Sequence, residues 1–170
     1  MLGFLQRAYH RWDITRRVRR FEWTAIYVGD YSSAPAWAYT IGFHASLGAP
    51  EVVVFDVPKG SADRIFQDIY NDLRTGKLVI RDGEPWRPAE TEQPVVWRQV
   101  HESRLYDNDP ENPWLGIAET FAAMSAPEKG PMRAFQLVLS DPSGRLPWEE
   151  GYDERLRPLQ RELYLPLCKA

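Results

Sequence analysis

The stretch 36-AWAYTIGF-43 decides how the fold is read. In steps of two it separates into Trp37, Tyr39, Ile41 and Phe43 on one side and Ala36, Ala38, Thr40 and Gly42 on the other. Side chains alternate across a β-strand, so this is a strand with one bulky face and one small face. The bulky face is suited to a core. The small face predicts the close approach of a helix or another stretch of backbone.

Working outward, 23-WTAIYVG-29 is rich in aromatic and β-branched residues and reads as a strand. The turn cluster 30-DYSSAP-35 joins the two strands into a hairpin. After the loop 44-HASLGAP-50 comes 51-EVVVFDV-57, a near-continuous apolar run expected of a strand buried on both faces. Ser61 is placed to cap a helix over about 62–74, with Ile65, Phe66, Ile69, Tyr70 and Leu73 on one stripe and Gly76 as its stop. Beyond it, 78-LVI-80, 95-VVWRQVHESRLY-106 and 133-RAFQLVLS-140 read as strands, and 114-WLGIAETFAAMSA-126 as a helix. At the N-terminus Leu2, Leu5, Tyr9 and Trp12 recur at helical spacing, with Phe4 and Ala8 widening the stripe. Consecutive strands joined by short loops must be antiparallel. The expected fold is therefore α+β: a mostly antiparallel, twisted sheet with helices packed on one face, in a single domain. Residues 1–21 form its basic N-terminal helix, 22–150 its core and 151–170 a C-terminal tail.

A chain of 170 residues suits one domain. Seven Trp, eight Tyr and seven Phe supply a core and argue against disorder. A single cysteine, Cys168, excludes an internal disulfide and fits a reducing compartment. No apolar run is long enough for a membrane helix, and Arg7, His10 and Arg11 interrupt what would be a signal peptide, so the cytoplasm is the expected location. The net charge of −3 is unevenly distributed: the first twenty residues hold six Arg and one Asp. Arg16, Arg17, Arg19 and Arg20 could contact nucleic acid, but a helix docked on the protein's own surface explains them more simply.

The common catalytic signatures are missing. There is no phosphate-binding G-x-x-x-x-G-K-[ST], no G-x-G-x-x-G and no G-x-S-x-G. His10, His44 and His101 are far apart and lack ligand spacing, so neither metal nor cofactor is expected. His44, after the Phe43 strand, reads as a loop histidine within reach of general-base work. The sharpest local signal is 141-DPSGRLPWEEG-151, a type I turn with Asp, Pro and Gly at their favoured positions. It brings a carboxylate, the Arg145 guanidinium and the Trp148 indole together. Arg145 could clamp an anion, or pair with Asp141 or Glu51.

These residues carry a resemblance. Tyr39-Thr40-Ile41-Gly42, then Pro50-Glu51, then the helix ending near Gly76, then 136-QLVLSDPSGRLPW-148 resemble an uncharacterised bacterial family, domain of unknown function four-two-six-two. The combined pattern covers roughly residues 22–150. The resemblance implies recurring positions at Tyr39, Thr40, Gly42, Pro50, Glu51, Asp141, Gly144, Arg145, Pro147 and Trp148, and no activity.

The expectation that follows is a ligand- or protein-binding module of regulatory or interaction type, acting on a small ligand, a protein partner or a second copy of itself. Tyr39, Thr40, Glu51, Asp141, Arg145 and Trp148 are its expected site, converging where antiparallel strand ends share an edge. A hydrolase-like enzyme acting on a small anionic substrate is the alternative, with Glu51 or Asp141 as acid/base. Nucleic-acid binding through the Arg-rich N-terminus is a further one.

Overall fold

The structure, a computed structural model, describes residues 2–29, 36–88, 95–105 and 114–167, and in the first helix the side chains from Trp12 onward. Cys168, the expected turn at 30–35 and the loop 107–113 lie outside the described residues. The elements in chain order are α1 (Leu2–Phe21), β1 (Thr24–Val28), β2 (Trp37–Ile41), α2 (Phe43–Leu47), β3 (Glu51–Phe55), α3 (Lys59–Thr75), β4 (Pro85–Trp86), β5 (Val95–Gln99), α4 (Gly116–Ser125) and β6 (Ala134–Val138).

The strands form one six-stranded sheet in the order β1-β2-β3-β6-β5-β4. Every pairing is antiparallel except β3 with β6, which run parallel with Glu51 beside Ala134. The fold is a single α+β domain, as the sequence predicts. β3 lies in the interior of the sheet, buried at all five positions, as its apolar run requires.

The helices do not share one face. α3 packs Ala62, Ile65, Phe66, Ile69 and Tyr70 against Ala38, Val52, Val54, Trp97 and Leu137. α1 and α4 pack Ile14, Val18, Leu115, Ala118 and Ala122 against Tyr39, Ile41, Val53 and Phe55 on the other. Hydrophobic residues on both sides of β2 and β3 leave two faces to cover, and helices on one face could not cover both. Each large aliphatic side chain buried this way contributes about 1.5–3 kcal/mol.

The small face of β2 is thereby explained in part: Ala38 lies under α3. Phe43 does not stay with the bulky set. The chain turns at Gly42, and Phe43 enters the α3 side, edge-on to Trp23 at 5.7 Å between centroids. The expected loop 44–50 contains the short α2. Residues 78–80 form no strand; β4 comes later, at Pro85–Trp86. The strand expected over 95–106 ends at Gln99 and is followed by a 3-10 turn at Glu102–Arg104. Ser61 lies inside the first turn of α3, whose cap is Pro58, whereas Gly76 caps the helix in the left-handed conformation as expected.

In α1 the stripe is also shifted. Trp12 is 60% exposed, and the buried positions are Ile14 and Val18. The side chains of Phe4 and Tyr9 lie outside the described residues.

The segment after Gly151 is held on the sheet by two glutamines. Buried Gln136 donates from Nε2 to the Arg161 carbonyl (2.6 Å) and accepts from the Leu163 N–H (3.0 Å). Gln160 accepts from the Leu139 N–H (2.7 Å) and donates to its carbonyl (3.0 Å), an imitation of strand pairing. Leu163 thereby joins the core on the α1/α4 side. Replacing Gln136 by Leu would leave two backbone groups without partners, at about 1–3 kcal/mol each. In urea unfolding, Q136L is expected to lose stability by that order, and limited proteolysis should cut after Gly151 sooner than in the parent.

Candidate functional site

The expected site residues fall into two clusters at opposite ends of the sheet. The first is built around Glu51, a carboxylate buried to 1% exposure. The backbone register between β2 and β3 ends at Tyr39 and Val53. Beyond that point the Thr40 hydroxyl accepts from the Val52 N–H (2.9 Å) and donates to Glu51 Oε2 (2.6 Å). Glu51 Oε1 accepts from the N–H groups of Gly42 (2.9 Å) and His44 (3.0 Å), orphan donors at the start of α2. Burial pushes the Glu51 carboxyl above its ordinary pKa, and the Thr40 hydroxyl and these amides oppose that rise. The carboxylate is thus a bracket joining β2, α2 and β3.

Gly42 belongs to the same bracket. Its φ is +114°, and a Cβ placed there would lie 2.7 Å from the Glu22 carbonyl oxygen and 3.0 Å from Val18 Cγ1. The small face of β2 therefore admits α3 at Ala38, the Glu51 carboxylate at Thr40 and the α1–β1 joint at Gly42. That joint is also tied to α3, because the Tyr70 hydroxyl donates to the Glu22 carboxylate. We expect Gly42→Ala to cost about 1–3 kcal/mol from backbone strain alone, with the clash adding to it. Gly60→Ala, in open space on a helix, should be neutral or stabilising; thermal melts of the two variants check the contrast.

The second cluster is the 141–151 turn. Asp141 Oδ1 accepts from the N–H groups of Ser143 (2.8 Å) and Arg145 (2.9 Å), and Oδ2 from Asp153 (3.2 Å). The Arg145 amide, with the others behind it, holds the Asp141 carboxyl below its ordinary pKa. The Arg145 guanidinium pairs with neither Asp141 nor Glu51; Nη1 donates to the Gly151 carbonyl (3.0 Å). Trp148 lies 5.0 Å from the guanidinium of Arg98, which also stacks on Tyr164 at 4.5 Å.

The six residues do not converge. β6 starts beside Glu51 and runs parallel to β3, so it must climb its whole five-residue length, roughly 13 Å, before the chain reaches Asp141. An all-antiparallel sheet would have brought them together; the parallel pair separates them. Tyr39 departs from Thr40 as well, since neighbours on a strand face opposite ways. Its buried hydroxyl reaches the backbone of Ile117 on α4, and burial, reinforced by the Glu119 carboxylate, pushes its pKa up.

Because Asp141 has a lowered folded pKa, its contribution is present above the unfolded value and fades as pH falls through the folded one. Asp141→Asn should therefore be less stable than the parent at neutral pH, with the gap closing in acid; melting curves across that range measure it.

One grouping resembles a catalytic pair and is held by its own backbone. Ser103 Oγ lies 2.8 Å from His101 Nδ1, but the same Nδ1 accepts from the Ser103 N–H, and Ser103 Oγ accepts from the Leu167 N–H. The pair caps the 3-10 turn and holds the C-terminal segment. His44 is on α2 and buried, not on an open loop. Burial first, then Lys129, lowers its pKa, and its Nε2 is closed off from solvent. Among the described residues no group of three His, Cys, Asp or Glu is placed to hold a metal ion. None of the described helices is long and apolar enough to cross a membrane.

An open groove among the described residues lies elsewhere. A groove of about 830 Å³ runs between α1, β1 and α4. Asp13 and Arg17 line it from α1, Thr24 and Ile26 from β1, and Ile117 and Met124 from α4. Ile117 is 41% and Met124 61% exposed. Of these residues sequence reasoning singled out only Arg17, as a possible nucleic-acid contact. The signal was present in α4, where Leu115, Ala118 and Ala122 form one stripe and Ile117, Phe121 and Met124 a second. A globular helix needs only one apolar stripe to reach its core.

The family model described as Domain of unknown function (DUF4262) matches residues 17–153. The chain belongs to this family. The match covers both the Glu51 bracket and the Asp141 turn, and it begins within α1, so Arg17, Arg19 and Arg20 lie inside the DUF4262 domain. No curated protein and no solved structure matches the chain.

Proposed function

We propose that this DUF4262 domain is a protein-binding module and that the groove between α1, β1 and α4 is its docking site. The observation that carries the reading is the contrast between the two edges of the sheet. β4, at one edge, is two residues long and contains Pro85, which cannot donate a ladder hydrogen bond. β1, at the other, is five residues, Thr24-Ala25-Ile26-Tyr27-Val28, with no charge and no proline. Proteins ordinarily blunt a strand edge with charge, proline, brevity or a bulge. An edge without these devices, opening onto exposed Ile117 and Met124, is suited to receive an added strand.

On this reading Glu51, Thr40 and Gly42 hold the scaffold, and Tyr39 supports the α4 wall of the groove. The 141–151 turn keeps the far end of the sheet in order. The single cysteine fits action in the cytoplasm.

The test is selection of random peptides displayed on phage against the immobilised domain, followed by NMR mapping of the winners. Shift changes should gather on residues 24–28 and on the methyl groups of Ile117 and Met124. Ile117→Asp with Met124→Asp, both at exposed positions, should weaken binding about tenfold or more while leaving the melting temperature near that of the parent. Binders that map only to other surfaces, or no binders at all, would overturn the reading.

A further inference from the structure

α1 changes sides along its length. In its C-terminal half Ile14 and Val18 are buried in the core, and Trp12, Arg16, Arg19 and Arg20 are exposed, Trp12 to 60%. At 3.6 residues per turn the two sets lie about half a turn apart, so the second set marks the side of the helix away from its own domain. A helix serving only its own core would carry its apolar positions on the Ile14–Val18 side throughout. The first turns do the reverse. Between Leu2 and Trp12 the helical register gathers Leu2, Phe4, Leu5, Ala8, Tyr9 and Trp12 into one arc of about 160° centred on Trp12. Gln6, Arg7, His10 and Arg11 occupy the opposite arc, which is the one that Ile14 and Val18 continue. The apolar register of the first turns therefore runs along the outward side of α1.

Past Trp12 the same side becomes cationic. Arg16 lies over the Trp12 ring (5.5 Å) and Arg20 over Phe21 (5.0 Å), contacts that leave the charge in place. Arg19 is exposed between them. Asp13, the one acid of α1, pairs instead with Arg17 at 2.9 Å. We propose that this side of α1 docks the domain on a bilayer surface rich in anionic phospholipid. The apolar arc enters the boundary between headgroups and acyl chains, and Arg16, Arg19 and Arg20 meet the lipid phosphates. Tryptophan beside arginine suits that depth, because each carries an apolar body and a polar tip. The helix lies on the bilayer and does not cross it: its apolar register covers about three turns, and a crossing needs about 20 apolar residues. This surface goes beyond the groove, whose α1 wall is Asp13, Ile14, Thr15 and Arg17. Charge complementarity decides the occupant. A second copy pairing antiparallel over Leu2–Trp12 would cover the apolar arc but leave Arg16, Arg19 and Arg20 beyond the end of the partner helix, their charge unmatched. Nucleic acid would take the arginines and leave the apolar arc in water. An anionic bilayer satisfies both.

The experiment is co-sedimentation of the full chain with vesicles of phosphatidylcholine, alone or mixed equally with phosphatidylglycerol. Binding to the mixed vesicles should be about tenfold or more tighter, with an advantage that shrinks in high salt. Arg16→Gln, Arg19→Gln and Arg20→Gln together, all at exposed positions, should remove that advantage. Leu5→Asp with Trp12→Asp should abolish sedimentation with either vesicle, while the melting temperature stays near that of the parent. Lipids brominated on their acyl chains should quench the fluorescence of the parent more than that of Trp12→Phe, a readout that needs no disruptive substitution. Equal binding to the two vesicles, or binding to neither, would overturn the proposal. So would identical quenching in the parent and in Trp12→Phe. A dimer in sedimentation velocity that dissociates in Leu5→Asp, with no vesicle binding, would assign the helix to a second copy instead. A labelled oligothymidylate held by the same arginines, with no vesicle binding, would assign it to nucleic acid.

Discussion

The carboxylate of Glu51 is the constraint on which the rest of this domain depends. A buried carboxylate is expensive unless its lone pairs are filled. Here the Thr40 hydroxyl and the amides of Gly42 and His44 fill them. The same contacts let β2 stop pairing with β3 without stranding the Val52 N–H, which the Thr40 hydroxyl receives. They also turn the chain at Gly42, sending Phe43 to the α3 side and bringing the α1–β1 joint within contact distance. Sheet, helix start and the packing of the α1–β1 joint on Gly42 are settled together here. Replacing Glu51 would disturb all three.

What could be read from the sequence was whatever depends on periodicity along a single element. The stripe Ile65, Phe66, Ile69 and Tyr70 specifies α3, and the run Val52 to Phe55 specifies a strand with both faces covered. The alternation in 36–43 separates the two faces of β2 correctly as far as Ile41. It fails at Phe43, because alternation carries no information about where a glycine turn ends it. The helices were expected on one face although the buried run of β3 already demanded cover on both. Local pattern also could not reveal that β6 would lie parallel to β3. That pairing depends on a long connection through α3, β4, β5 and α4, and it separates Asp141 from Glu51.

The candidate site was hidden for a related reason. Its walls come from three elements, and none of its residues is unusual where it stands. Ile26 is an ordinary strand residue and Met124 an ordinary helix residue. Recognising Ile117 and Met124 as exposed on α4 required knowing that Leu115, Ala118 and Ala122 reach the core, with Phe121 packed against it. The chemically conspicuous residues, Asp141, Arg145 and Trp148, drew attention because acids, arginines and tryptophans carry function elsewhere. Here each is engaged by backbone amides, a backbone carbonyl or a stacked side chain.

An interaction surface has a different signature from an active site. Catalysis requires polar groups whose pKa values are shifted and whose reacting atoms are accessible. Thr40, Glu51 and Gln136, the most deeply buried polar side chains among the described residues, are satisfied by one another or by backbone groups and closed to solvent. The exposed features among the described residues are of another kind: a strand edge without charge, the apolar side chains of Ile117 and Met124, and arginines laid over aromatic rings. Each costs solubility or invites aggregation when left open. β4 shows that the same sheet can close an edge with two residues and a proline. β1, five residues without charge or proline, is not closed in that way.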